Sequence, residues 1–178
     1  KFLQPVEQTV IENIKKDLNI QENDFVFLNV GSINHQKNQL SLVKAFKNVA
    51  STCANAKLIL LGPIYEQNLF EEIQNFITSN NLQNKIVYAG SSSTPEVYYK
   101  IADAYIHSAN FEGGPLTVVE AMLNNLPIIS PSFGIVKNLV NFQGCNVICP
   151  HIDVLNYYGK IWEIPSSQKT IDELSKAM

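Results

Sequence analysis

From Phe25 onward, short apolar runs alternate with amphipathic stretches. Phe25–Val30, Lys57–Leu61, Lys85–Ala89, Ala104–His107, Pro127–Ser130 and Asn146–Cys149 have strand length, and their near-continuous apolar character suits strands buried on both faces of a sheet. Between them, apolar residues return at helical spacing. Leu40, Val43, Phe46 and Val49 do so within Gln39–Ala50, and Leu69, Ile73, Phe76 and Ile77 within Leu69–Ile77. Ser93-Thr94-Pro95-Glu96 predicts a helix start, with proline in the first turn and glutamate spaced for a capping box. A helix from about Leu116 should end near Asn124-Asn125, because Pro127 disfavours helical geometry at Leu126. A further helix over Pro5–Leu18, with Val6, Val10, Ile11 and Ile14 on one face, precedes the first strand, as in a domain entered from another. Residues 166–178 are helical in pattern and lack a clear cap. The alternation predicts one domain over residues 1–178, a Rossmann-like α/β unit with a parallel sheet flanked by helices.

Composition changes this picture mainly by exclusion. With 178 residues, 46% of them hydrophobic, the chain can bury one sizeable core. Its 13 basic and 16 acidic side chains give a net charge of -3, which does not suit a nucleic-acid binder that must neutralise a run of phosphates. The longest apolar runs are strand-length, too short to cross a membrane, and no stretch reads as a signal peptide. Cys53, Cys145 and Cys149 are odd in number and are expected to pack in the core of a protein from a reducing compartment. No metal site is expected, since His151 stands alone and no second ligand pair completes Cys145 and Cys149.

Ligands of open parallel α/β sheets bind beyond the carboxyl ends of the strands, which directs attention to the loops after Val30, Leu61, Ala89 and His107. The first holds Gly31, Ser32, His35 and Lys37; the second Gly62-Pro63; the third Gly90-Ser91-Ser92-Ser93. The fourth reads Glu112-Gly113-Gly114-Pro115-Leu116-Thr117, with Glu120 following one turn into the helix. Two glycines and a proline lead into a helix whose first peptide N–H groups lack intrahelical partners, an arrangement that attracts phosphate. Two carboxylates beside it would repel a bare phosphate, and they make sense when the ligand also offers hydroxyls. A nucleoside diphosphate sugar has that mixture: a diphosphate for the N–H groups, a ribose diol for one carboxylate and sugar hydroxyls for the other.

The segment from Glu112 to Glu120 resembles the E-x7-E motif of glycosyltransferase family 4, the group 1 glycosyltransferases, in the second domain of a GT-B fold. The likeness extends through the strand from Ala102 to Glu112, the helix exit from Ala121 to Ser130, and the loop from Val30 to Asn38. The resemblance implies that Lys37 meets the donor diphosphate, that Glu112 serves the transferred sugar as the catalytic carboxylate, and that Glu120 binds ribose hydroxyls. Gly31, Ser32, Gly113, Gly114, Pro115, Leu116 and Thr117 would supply backbone around phosphate and sugar, and Ser91 and Ser92 would lie by the base. Two positions depart from the family pattern. Ser32 stands where a loop arginine is expected, which leaves His35 or a residue outside the chain to compensate, and Lys137 stands where glutamate is common after the turn at Phe133-Gly134.

The implied activity is retaining transfer of a hexose from a nucleotide sugar, a UDP-sugar ahead of a GDP-sugar, with no metal or other cofactor. The acceptor would be a glycan or a glycolipid, reached through an N-terminal domain that this chain lacks, so the chain alone would be inactive. The implied location is the cytoplasm, with a peripheral place at the inner membrane face for a lipid acceptor. A non-catalytic nucleotide-sugar-binding module and a nucleotide-sugar epimerase of the same architecture are the alternatives.

Overall fold

A computed structural model of the chain describes residues 2, 4–131, 136–139, 147–148 and 168–178. Along the chain run α1 (Gln8–Asp17), β1 (Phe25–Val30), α2 (Gln39–Thr52), β2 (Ala56–Leu61), α3 (Gln67–Ser79), β3 (Ile86–Gly90) and α4 (Pro95–Ile101). They are followed by β4 (Ala104–Ile106), α5 (Leu116–Leu123), β5 (Ile128–Ile129), α6 (Val136–Leu139), β6 (Val147–Ile148) and α7 (Gln168–Ala177). The strands form one parallel sheet in the order β3-β2-β1-β4-β5-β6. The order reverses between β1 and β4, the place where a doubly wound sheet opens a crevice. Among the described residues no helix is long and apolar enough to cross a membrane.

Alternate residues of each strand feed two separate cores. Phe27, Leu58, Leu60, Ile86 and Ile106 pack with Leu42, Val43 and Phe46 of α2 and Leu69, Ile73 and Ile77 of α3. On the other face Leu28, Ile59, Leu61 and Tyr105 pack with Val97, Tyr99 and Ile101 of α4 and Val118 and Ala121 of α5. Each of these aliphatic side chains contributes roughly 1.5–3 kcal/mol when fully withdrawn from water. Because both faces are covered, the strands read as continuous apolar runs. Helix α7 packs on α2 through Ile171 and Leu174 against Ala45.

Several expectations need correction. Helix α1 begins at Gln8 rather than Pro5, and Val10, expected on its apolar face, is exposed at 38%, while Ile11, Ile14 and Leu18 pack against the core. The residue before Pro95 is the helix boundary, so Thr94 rather than Ser93 precedes α4, and Thr94 makes no side-chain capping bond. Cys53 is exposed rather than packed in the core, since it follows the end of α2 where the chain turns toward β2. Cys145, Cys149, His151 and the Phe133-Gly134 turn lie outside the described residues; Lys137 falls within α6.

Three helices end in one way. Asn19, Asn81 and Asn125 adopt left-handed backbone at φ 50°, 55° and 57°. The next residue, Ile20, Leu82 or Leu126, donates its N–H back to Lys15, Ile77 or Ala121, the bond pattern of a Schellman motif. Asparagine tolerates this conformation better than other side chains, and Ile20 and Leu82 become buried contacts. Replacing Asn81 by alanine should therefore lower stability in urea unfolding by about 1 kcal/mol, whereas Asn81→Gly should hold it; equal losses for both variants would argue against the left-handed cap as the cause.

Candidate functional site

The site grows from the loop that leaves β1. Gly31 extends the sheet by donating its N–H to Leu61 at 2.8 Å, and Gly62 does the same to Gly90 at 2.8 Å. Gly62 has φ +146°, and a Cβ there would stand 2.2 Å from the Gly31 carbonyl oxygen, so the ends of β1 and β2 are in backbone contact and no larger residue fits. The Lys37 stem then runs back over Gly31, whose Cβ would meet its methylenes at 3.6 Å. The Asn34 carboxamide oxygen accepts the Lys37 N–H at 2.9 Å and closes the loop.

This loop is tied to the one leaving β4. Asn110 donates its N–H to the Gln36 carbonyl at 2.8 Å and its side-chain amide to the His35 carbonyl at 2.9 Å. Its carboxamide oxygen accepts from Asn38 at 2.9 Å, and the Ser108 hydroxyl donates to the Lys37 carbonyl at 2.8 Å. Within the sheet, Asn29 bridges the same two strands by donating to the Ile106 carbonyl at 2.8 Å. All four of these polar residues are buried. Sequence reasoning did not single out Asn29, Asn38, Ser108 or Asn110. The available signal was the presence of amide and hydroxyl side chains at strand ends where apolar ones would otherwise continue.

The stitching brings Lys37 and Glu112 together as an ion pair, with side chains 24% and 14% exposed. Burial lowers the Lys37 pKa below that of a free lysine. His107 is buried in the same region, and burial together with the nearby Lys37 charge pushes its pKa down to about 3, so its imidazole is neutral at physiological pH. It sits 3.4 Å from the Tyr105 hydroxyl, which donates to Thr117 Oγ1 at 2.7 Å. His35 pairs with Glu66 through its ring and its N–H, which takes it up in a contact between the loops after β1 and β2 rather than freeing it to replace the expected arginine. Ser32 is likewise engaged within its loop, accepting from Asn34 at 3.0 Å and, through its carbonyl, from Gln39 at 3.0 Å.

A cleft of about 260 Å³ lies beside this pair, lined by Val30, Gly31, Ser32, Leu61, Gly62, Pro63, Ser91, Ser92, Pro95, Thr117 and Glu120. Of the expected site residues, Gly31, Ser32, Ser91, Ser92, Thr117 and Glu120 thus share one space. Lys37 and Glu112 stand outside its lining, as do Gly113, Gly114, Pro115 and Leu116. Gly113 and Gly114 border open space. Leu116 is 74% exposed, so only its backbone could serve a bound anion; beside Glu120 on α5, Val119 is exposed at 37% while Val118 is buried and Met122 packs against the core. Pro115, the residue before α5, offers no side-chain cap to the first N–H groups of the helix. Glu120 itself accepts a 2.8 Å hydrogen bond from Tyr99, a partner the sequence did not reveal. The cleft is smaller than the roughly 300–1,000 Å³ typical of enclosing ligand sites.

Comparison with known proteins agrees with this fold. Residues 10–177 match the family described as glycosyl transferases group 1. The chain is similar to an uncharacterized glycosyltransferase of Methanocaldococcus jannaschii, at 34% identity over 151 residues, covering 82% of this chain and 35% of that protein. It is also similar to the alpha-monoglucosyldiacylglycerol synthase of Streptococcus pneumoniae, at 27% identity over 145 residues, covering 79% of this chain and 32% of that protein. The chain thus spans about a third of the length of these relatives. In fold it is similar to HepE of Anabaena, solved in complex with UDP and glucose, with a TM-score of 0.71 and 23% identity over 98% of this chain and 48% of that one. The parallel sheet with its two helical layers is the Rossmann-like C-terminal half of a GT-B fold. On the match that runs nearly end to end through the elements carrying Lys37, Glu112 and Glu120, the chain belongs to the glycosyl transferases group 1 family.

Proposed function

We propose that this chain is the donor-binding domain of a retaining glycosyltransferase that moves a hexose from a nucleotide sugar to a glycan or lipid-linked acceptor presented by a second domain. The observation that carries the reading is the meeting of Lys37 and Glu112 at the carboxyl ends of β1 and β4, beside a cleft that holds Glu120. In this reading Ser91 and Ser92 lie by the base, Glu120 accepts from ribose hydroxyls, and the diphosphate lies between Lys37 and the uncapped N–H groups that open α5. Glu112 faces the transferred sugar. The chemical task is to stabilise the diphosphate as it gains charge on leaving, with donors aimed at that charge in a partly dry site. Without ligand, Glu112 neutralises Lys37. An incoming diphosphate competes for that ammonium, and the exchange releases the carboxylate toward the sugar.

UDP is the favoured nucleotide, in keeping with its presence in HepE. A lipid-linked acceptor is in keeping with the name of the Streptococcus pneumoniae relative. A second reading, a nucleotide-sugar-binding module without transfer, draws on Ser32, which is neutral and engaged within its own loop where the family resemblance implies arginine.

UDP should raise the melting temperature of the chain more than GDP or ADP does, with about 2.7 kcal/mol of added stability at 100 times its dissociation constant. A thermal titration in which none of the three stabilises the chain would remove the donor-site reading.

Lys37→Ala should weaken a nucleoside diphosphate far more than the corresponding nucleoside, because only the former brings charge to neutralise. Calorimetry with both ligands decides the matter, and equal losses would contradict a phosphate role.

Glu112→Ala in the intact enzyme should lower kcat by about 10²-fold, on the scale of one lost electrostatic stabiliser, while affinity for the free nucleoside diphosphate does not fall because its competitor for Lys37 is gone. Single-turnover transfer and calorimetry on the same variant test this. Unchanged transfer would assign Glu112 to loop pairing alone, and a product of inverted anomeric configuration from the parent enzyme would exclude the retaining mechanism.

A further inference from the structure

The two oxygens of the Glu120 carboxylate differ in setting. Oε2 accepts a 2.8 Å hydrogen bond from the Tyr99 hydroxyl, and among the described residues this is the only side-chain donor that reaches the carboxylate. Glu120 also lines the cleft, so Oε1 is the oxygen left for a ligand. Tyr99 lies on α4 and is 1% exposed. Its ring meets Phe2 edge-on at 5.6 Å and Tyr105 at 5.9 Å, so the position of its hydroxyl is fixed by packing rather than by the bond it makes.

A phenol has one proton to give. The Thr117 carbonyl lies 3.3 Å from the Tyr99 hydroxyl and the carboxylate 2.8 Å, and the shorter, charged acceptor takes the proton. Burial, with Tyr105 and the Glu120 charge adding to it, raises the Tyr99 pKa well above that of a free tyrosine, so the group remains a donor. A glutamate on a half-exposed helix face would otherwise sample several rotamers, and ordering it would fall to the ligand. Here the ordering is done in advance by a neighbouring helix.

We infer that Tyr99 is a positioning residue for ribose recognition: its hydroxyl holds one oxygen of Glu120 so that the other is presented to a ribose hydroxyl of the bound nucleotide. The inference rests on the reading of this cleft as the nucleotide site. Its specific consequence is that discrimination between ribose and deoxyribose depends on a residue that does not touch the ligand.

The test compares wild type, Y99F and E120Q as full chains, by melting temperature and by calorimetry. The ligands are the tightest-binding of UDP, GDP and ADP and its 2′-deoxy and 3′-deoxy forms. Wild type should prefer the ribonucleotide over at least one deoxy form by about tenfold or more, the scale of a hydrogen bond to a charged group. Y99F keeps the ring and its packing, and its preference should drop to within about threefold, with affinity for that deoxy form unchanged. E120Q should lose the same preference. Because the ratio is taken within one variant, a general loss of stability leaves it unmoved. Site-specific 3-fluorotyrosine at position 99 keeps both fold and hydroxyl, and its more acidic phenol should widen the ratio. If E120Q loses the preference while Y99F and the fluorinated protein match wild type, Glu120 reads ribose unaided and the role of Tyr99 is overturned. If Y99F weakens ribo and deoxy forms alike, Tyr99 merely shapes the cleft and the inference fails as well. If wild type binds none of the nucleotides, or E120Q retains full preference, it is the assignment of the site itself that fails.

Discussion

Two loops that are far apart in sequence act as one piece because Asn110 spends its backbone N–H and both ends of its carboxamide on the loop that leaves β1. The rest of the site depends on that union. A parallel sheet whose order reverses between β1 and β4 sends the chain away in opposite directions from adjacent strand ends, and nothing in the sheet ladder itself holds the departing segments together. Each buried hydrogen bond across the gap contributes about 1 kcal/mol net, yet leaving one of its groups unpaired would cost about 1–3 kcal/mol. The network is therefore held less by the strength of any member than by the penalty for parting any of them, which gives the loops one common geometry.

Electrostatics follow from that geometry. Lys37 reaches Glu112 because its own carbonyl is anchored by Ser108, and both charges are mostly shielded from water. Glu120, one turn into α5, is held apart from this pair by its bond to Tyr99 and faces the cleft instead. The two carboxylates are thereby given separate employment: one neutralises the lysine, the other is fixed by a phenol. The neutral His107 completes the arrangement, since a second cation packed beside Lys37 would meet both repulsion and a desolvation cost.

The fold supports the site through economical local rules. Glycine at position 62 lets the ends of β1 and β2 meet through backbone alone, at the edge of the cleft that Gly31 and Gly62 line. Asparagine in left-handed backbone ends α1, α3 and α5 and turns the following apolar residue toward the core.

Much of this was written in the chain itself. Apolar runs on a period of strand, loop and amphipathic helix determined a parallel sheet covered on both faces, because only strands buried twice can be continuously apolar. The pattern around Glu112 and Glu120 singled out the loop after β4 as the candidate site, since glycine, proline and two acids at one helix start are hard to satisfy by stability alone. Distance in sequence hid the rest. That Lys37 would meet Glu112, that Asn38 and Asn110 would bond to each other, and that Tyr99 would hold Glu120 are facts about residues 75, 72 and 21 positions apart. Side-chain type and periodicity report on a residue's neighbours along the chain and on whether it is buried, whereas partners across the β1/β4 reversal are chosen only when the strands take their order. The tertiary structure decided them, because hydrogen bonds and ion pairs act over a few ångströms of space and not along the sequence.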